Sequence, residues 1–138
     1  MNSLQPVLLI EDDSVDVMTV KRCFKQLKIT NKLIVAADAQ IAFELLLDEN
    51  NRLCPCIILL DINMPVMNGI EFLEKYHNDI KVKKASIVML TSSKEQVDIN
   101  RCFELGIAGY MVKPLEYDKF VQSIEILNKY WTMSELPL

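Results

Sequence analysis

The sequence contains no apolar run approaching the ~20 residues that span a bilayer as a helix, which excludes a helical membrane protein. Met1 to Pro6 has neither the basic nor the apolar region of a secretory leader, so a cytoplasmic setting is expected. Positive charge is not in excess. Fifteen Lys and Arg stand against nineteen Asp and Glu, a net charge of -4, which argues against nonspecific attachment to nucleic acid or an anionic membrane. Histidine occurs once, at His77, in a helix-end context that reads as surface. Four cysteines are present, at 23, 54, 56 and 102. The Cys54-Pro55-Cys56 spacing is tighter than zinc sites use, so reduced structural thiols are expected. No repeat, linker or low-complexity segment interrupts the chain, and half of its residues are apolar (51%) with a quarter charged (25%), the composition of a globular protein. The reading is one domain over residues 1–138, with a core of about 6–130 and a short apolar tail at 131–138.

The centre of the pattern is Ile57-Ile58-Leu59-Leu60, a short run bounded by Pro55 and Pro65 and ending in Asp61. Such a run predicts a strand buried on both faces, as in a parallel sheet. Similar runs occur at 7–10 (ending in Glu11-Asp12-Asp13), 33–36, 87–90 (ending in Thr91-Ser92-Ser93) and 107–112 (ending in Lys113-Pro114). Helices are expected between them. Val17, Val20, Phe24 and Leu27 form one stripe after a cap at Asp13 or Ser14. Asp38 caps a second helix with Ile41, Ala42, Leu45 and Leu46 inward, broken at 50–52. Pro65 and Asn68-Gly69 turn the chain into a third helix at about 70–76, followed by a polar loop at 78–84. Ser93 and Gln96 have capping-box spacing for a fourth, closed by Gly106. The fifth, about 117–130, carries Phe120, Ile124, Leu127 and Trp131 along one face. Strand and helix alternate five times with connections long enough for right-handed crossovers. The expected fold is α/β: a doubly wound, five-stranded parallel sheet of flavodoxin-like order 2-1-3-4-5.

All strand ends then fall on one edge, and strands one and three are neighbours at the switch point. Glu11 and Asp12 are brought beside Asp61. Clustered carboxylates need a counter-charge, and Mg²⁺ suits a few carboxylates plus waters and a phosphate. Lys113 supplies a second cation. A carboxylate so placed can act as a nucleophile toward phosphorus, with Lys113 and the Thr91 hydroxyl covering phosphoryl oxygens. Singly, each residue has a plainer reading: a helix-capping acid, a capping hydroxyl, a solvated lysine. Together they form a constellation that plain capping does not explain.

These residues resemble the receiver domain of response regulators, the phosphorylatable half of two-component signalling. The likeness rests on Leu8-Leu9-Ile10-Glu11-Asp12-Asp13, on Asp61-Ile62-Asn63-Met64-Pro65 with Asn68-Gly69, on Thr91-Ser92-Ser93 and on Lys113-Pro114, and covers about 6–130. It implies that Asp61 is the phosphoacceptor and that Asp12, Asp61 and the Asn63 backbone carbonyl bind Mg²⁺, with Glu11 assisting. It implies that Thr91 and Lys113 contact the phosphoryl group, that Thr91 and Tyr110 form a switch, and that the Lys113-Pro114 bond is cis. The implied partners are a histidine kinase or phosphotransfer protein as donor and a downstream protein target, without nucleic acid or membrane. The implied activity is a signalling module with slow self-dephosphorylation, not a turnover enzyme. The chain stops soon after the fifth helix, resembling stand-alone receivers of the chemotaxis and phytochrome-associated types. Its apolar tail leaves two readings: Trp131 packing on its own domain, or a contact with a partner or second copy.

Three other functions compete. A magnesium phosphatase with an aspartate nucleophile commonly places an acid two residues on; here that residue is Asn63, which cannot shuttle protons. A flavin carrier needs a Gly/Ser/Thr-rich phosphate loop after strand one, where Glu11-Asp12-Asp13 repels phosphate. A degenerate scaffold conflicts with the full set of acceptor-site residue types.

Overall fold

The structure is a computed structural model and describes residues 5–50, 53–79, 85–114 and 116–133. Elements alternate without exception: β1 (Val7–Ile10), α1 (Ser14–Gln26), β2 (Leu33–Ala36), α2 (Ala39–Leu47), β3 (Ile57–Leu60), α3 (Gly69–Asn78), β4 (Ser86–Thr91), α4 (Gln96–Glu104), β5 (Gly109–Val112) and α5 (Tyr117–Met133). All strand pairings are parallel and the order is β2-β1-β3-β4-β5, as expected.

Alternation along each strand divides the core in two. Leu8, Ile10, Ile58, Leu60 and Met89 point to one face, where Phe43 and Leu46 of α2 and Phe72, Leu73 and Tyr76 of α3 cover them. Val7, Leu9, Ile57, Leu59, Val88 and Leu90 point to the other, under Val20 and Phe24 of α1 and Phe120, Ile124, Leu127 and Trp131 of α5. Each such aliphatic or aromatic side chain stabilises the fold by about 1.5–3 kcal/mol. Both central strands, β1 and β3, are wholly buried.

Local chemistry sets where helices start. Asp13 caps α1, its Oδ1 accepting the Val15 and Asp16 N–H groups at 2.8 and 3.3 Å. Asp38 caps α2 through the Ile41 N–H. Asn68 and Glu71 form a reciprocal capping box that starts α3 at Gly69. Gly106 follows the α4 C-cap at φ +87°, a left-handed position suited to glycine.

Four expectations change in detail. Ile41 is exposed, and Phe43 takes the inward place on α2, because residues two apart on a helix do not share a face. Ser93 does not cap α4. The N-cap is Glu95 without a side-chain cap bond, and the Ser93 hydroxyl donates instead to Asp98 at 2.7 Å. α3 and α5 each run further than their apolar stripes suggest, to Asn78 and Met133. β5 begins only at Gly109: the Ile107 N–H is still tied to the Cys102 carbonyl of α4, and Ala108 makes the first bond to β4, through the Ile87 carbonyl. Parts of the expected α2 break (51–52), the polar loop (80–84) and the apolar tail (134–138) lie outside the described residues.

Of the two readings of Trp131, the structure has the ring buried in its own domain. It lies 5.8 Å from the Phe24 ring centroid, and its Nε1 donates to Asn31 Oδ1 at 3.2 Å. Among the described residues no helix is long and apolar enough to cross a membrane.

Candidate functional site at the carboxyl edge of the sheet

β1 and β3 are hydrogen-bonded neighbours in a register that pairs Ile10 with Leu60, so the residues just beyond them, Glu11 and Asp61, emerge side by side. The Asp61 N–H donates to the Ile10 carbonyl at 3.2 Å, which fixes Asp61 at the strand end and not out on its loop. Gly69 sets the other side of this position. A Cβ there would collide with the Asp61 carbonyl oxygen, while the Gly69 N–H donates to the Ile62 carbonyl at 2.9 Å. The first residue of α3 is thus seated directly behind Asp61, an approach that only glycine permits.

Glu11, Asp12 and Asp61 each offer a carboxylate oxygen, all within 4.8 Å of one another. Glu11 and Asp61 are buried and Asp12 is exposed. Opposite them Lys113, just after β5, reaches in. Its Nζ donates to Glu11 Oε1 at 2.6 Å, to Asp16 Oδ2 at 2.7 Å and, more loosely, to Asp61 Oδ2 at 3.3 Å. Its three protons thus meet three carboxylates. Burial alone pulls the Lys113 ammonium down. The hydrogen bonds to Asp16 and Glu11, with the charges of Glu11 and Asp61, outweigh it and hold the pKa above its ordinary value. For Glu11, burial is the stronger influence. It pushes the carboxyl up to about 7, helped by the Asp61 charge and opposed by the bond and charge of Lys113.

Three carboxylates, Glu11, Asp16 and Asp61, therefore contact one ammonium, and Asp12 adds a fourth carboxyl beside Glu11 and Asp61. Asp61 Oδ1 is buried with no hydrogen-bond partner, a cost of about 1–3 kcal/mol for a polar group and more for a charged one. A set of hard oxygen donors with surplus negative charge and one orphaned buried oxygen fits a divalent cation of the Mg²⁺ type.

The remaining expected site residues lie on the same edge with different partners. Thr91 ends β4 fully buried, and its Oγ1 accepts the Ser93 N–H at 3.3 Å. The Lys113 N–H donates to the Thr91 carbonyl at 2.8 Å and so ties the β5 exit to β4. Tyr110, half-buried in β5, has its hydroxyl donating to the Ser93 carbonyl at 2.9 Å and not left to water. The side chain of Asn63 is exposed in the loop after Asp61. The Lys113–Pro114 bond is trans, correcting the expected cis form; trans is the lower-energy isomer before proline by about 0.5–1 kcal/mol. His77 is exposed, as expected.

Sequence reading missed Asp16. The residue sits in the first turn of α1, where an acid has an ordinary explanation in the helix dipole. Its spacing of three from Asp13 was the available signal, but nothing in the chain pattern ties it to a lysine 97 positions later.

The family model of the response regulator receiver domain matches residues 7–125. The chain is similar to the response regulator Rcp1 of Synechocystis sp., with 27% identity over 133 residues, covering 94% of this chain and 90% of Rcp1. The Mn²⁺-bound structure of Rcp1 superposes with a TM-score of 0.86 at 27% identity, covering 97% of this chain and 99% of that one. The bacteriophytochrome response regulator RtBRR has 34% identity and a TM-score of 0.74, covering 98% and 84% of the two chains.

Proposed function

Because the chain belongs to the response regulator receiver domain family, we propose that it accepts a phosphoryl group on Asp61 from a phosphohistidine donor, with Mg²⁺, and so switches its affinity for a protein partner. The observation that carries this reading is the orphaned, buried Oδ1 of Asp61 beside the carboxylates of Glu11 and Asp12 and the Lys113 ammonium. In the transfer, an Asp61 carboxylate oxygen forms a bond to phosphorus as the P–N bond of the donor breaks, its electron pair returning to the imidazole. Glu11, Asp12, Asp61 and the Asn63 carbonyl are the proposed holders of the metal. When bound, Mg²⁺ neutralises oxygen charge in the transfer. The chain's own contribution is position. Gly69 and β3 fix the attacking carboxylate, and Lys113 offers its ammonium to a phosphoryl oxygen from the opposite side.

The proposed switch runs through Thr91 and Tyr110. If the Thr91 hydroxyl turns to a phosphoryl oxygen, the Ser93 N–H loses its acceptor, and the Tyr110 bond to the Ser93 carbonyl is disturbed with it. The donor is a histidine kinase or phosphotransfer protein, and the readout is a protein target. We treat residues 1–138 as one receiver domain in a cytoplasmic signalling route, with slow self-dephosphorylation and no turnover of outside substrates. A contact of the tail with a partner or second copy would not run through Trp131, which is buried within the domain.

The test is Asp61→Asn with acetyl phosphate as donor and intact mass as readout. The parent chain is expected to gain one acid-labile phosphoryl group in a Mg²⁺-dependent way and the variant none. Retained, hydroxylamine-sensitive phosphate on Asp61→Asn would refute the assignment.

A further inference from the structure

Lys113 is bound more tightly by Asp16 than by the proposed acceptor. Its Nζ lies 2.7 Å from Asp16 Oδ2 and 3.3 Å from Asp61 Oδ2. Three carboxylates already occupy the three ammonium protons, and the loosest of them is Asp61 itself, so Lys113 can close fully on a phosphoryl oxygen there only if one of the two short bonds, to Glu11 or to Asp16, yields. Glu11 is the wrong one to yield. Its side chain is 2% exposed, and breaking its 2.6 Å bond would strand a buried carboxylate. Asp16 differs. Its side chain is 31% exposed and opens on the cleft between α1 and the β5–α5 loop, lined also by Val15, Arg22, Pro114 and Tyr117, so water can replace the ammonium there at little cost.

We infer that Asp16 is a positioning residue that holds Lys113 toward α1, away from Asp61, and restrains phosphoryl acceptance until it releases the ammonium. The inference rests on the reading of Asp61 as acceptor. Two effects of Asp16 act in the same direction. Its bond draws the ammonium from the oxygen that needs it, and its charge adds to the negative potential that an incoming dianionic phosphoryl group must enter. Glu11 keeps the ammonium in the site when Asp16 is neutralised, so loss of the restraint does not mean loss of Lys113.

Asp16→Asn preserves shape and removes the charge. The α1 cap is supplied by Asp13, so the helix start does not depend on the Asp16 carboxylate. With acetyl phosphate and saturating Mg²⁺, followed by intact mass, Asp16→Asn is expected to be phosphorylated about three- to tenfold faster than the parent, the scale of one partly exposed charge-assisted bond. Asp16→Glu, which restores the charge, is expected to fall back toward the parent rate. In a Lys113→Ala background, most of the Asp16→Asn acceleration should vanish, because the carboxylate acts mainly through that ammonium. An unchanged or slower rate in Asp16→Asn overturns the inference. So does an acceleration that persists in full without Lys113, which would assign the effect to charge alone. If the parent chain takes up no phosphate, the fault lies in the reading of Asp61 and not in that of Asp16, and the two failures are told apart by that control.

Discussion

On the β1–β3 side of the carboxyl edge, Glu11 and Asp61 are buried, follow two fully buried strands and share one ammonium through bonds as short as 2.6 Å. On the β4–β5 side, Thr91 is buried but the elements around it are loosely built. β5 has no fully buried residue, α4 buries only Cys102, and its N-terminus lacks a side-chain cap. Val97 and Phe103 of α4 are exposed. The two halves of one edge thus differ in what moving them costs. The half carrying Asp61 is pinned from strand, glycine and lysine at once, whereas the side chains of Thr91 and Tyr110 are engaged, among the described residues, by hydrogen bonds to Ser93 alone. Elements that change shape are drawn from the less stable parts of a fold. Under the proposed function, a phosphoryl group bound by the stiff half would bias the soft half without disturbing its own geometry.

The largest way to break this contrast is Gly69→Ala. The new methyl meets Asp61 backbone, which the β1 pairing cannot release, so a loss of about 1–3 kcal/mol is expected in denaturant unfolding, with slower phosphorylation as Asp61 is displaced. A variant as stable as the parent would mean that the stiff half yields easily.

A second test uses pH. Burial raises the Glu11 carboxyl from 4.5 to about 7 in the fold, so the folded state binds the proton more tightly than the unfolded chain does. Its stabilising effect is full below about pH 4.5 and is lost as pH rises through about 7. Metal-free protein should therefore lose melting temperature from pH 5 to pH 8, Glu11→Gln should lose less, and Mg²⁺ should restore the parent at pH 8. Parallel curves for parent and variant would remove Glu11 from this role.

The smallest effect is expected at Tyr110→Phe, which deletes the bond to the Ser93 carbonyl. A loss of about 0.5–1.5 kcal/mol or less is expected, with faster amide exchange confined to the segment around Ser93 and α4. Faster exchange at Asp61 as well would show that the two halves are not separable.

What was legible from residues follows the same division. The strands, their order and the acids at 11, 12 and 61 could be read because buried apolar runs and the charges that end them are local signals. Lys113 was legible as a strand-end cation. Its actual partner set was not, because the bond to Asp16 joins α1 to the β5 exit and depends on how two helices settle beside the sheet. The start of α4 was misread for a related reason. Ser93 and Gln96 have the right spacing, but the Ser93 hydroxyl is taken by Asp98, a competing local partner in the first turn of α4, and its carbonyl by Tyr110 of β5, a tertiary one. Gly69 was read as a turn residue, and only the closeness of Asp61 shows why that position admits no side chain.

The buried indole at Trp131 has a practical consequence. Its Nε1 bonds Asn31, whose amide in turn donates to the Gln5 carbonyl, and all three residues lie by the amino ends of strands or against them. Asp61 and Lys113 follow the carboxyl ends. As the sole tryptophan of the chain, this ring is a clean optical signal for global unfolding and a poor one for events at the acidic edge. Emission that stays flat while metal or phosphate is added therefore says nothing against binding, and a probe placed on α4 is the one suited to watch the edge respond.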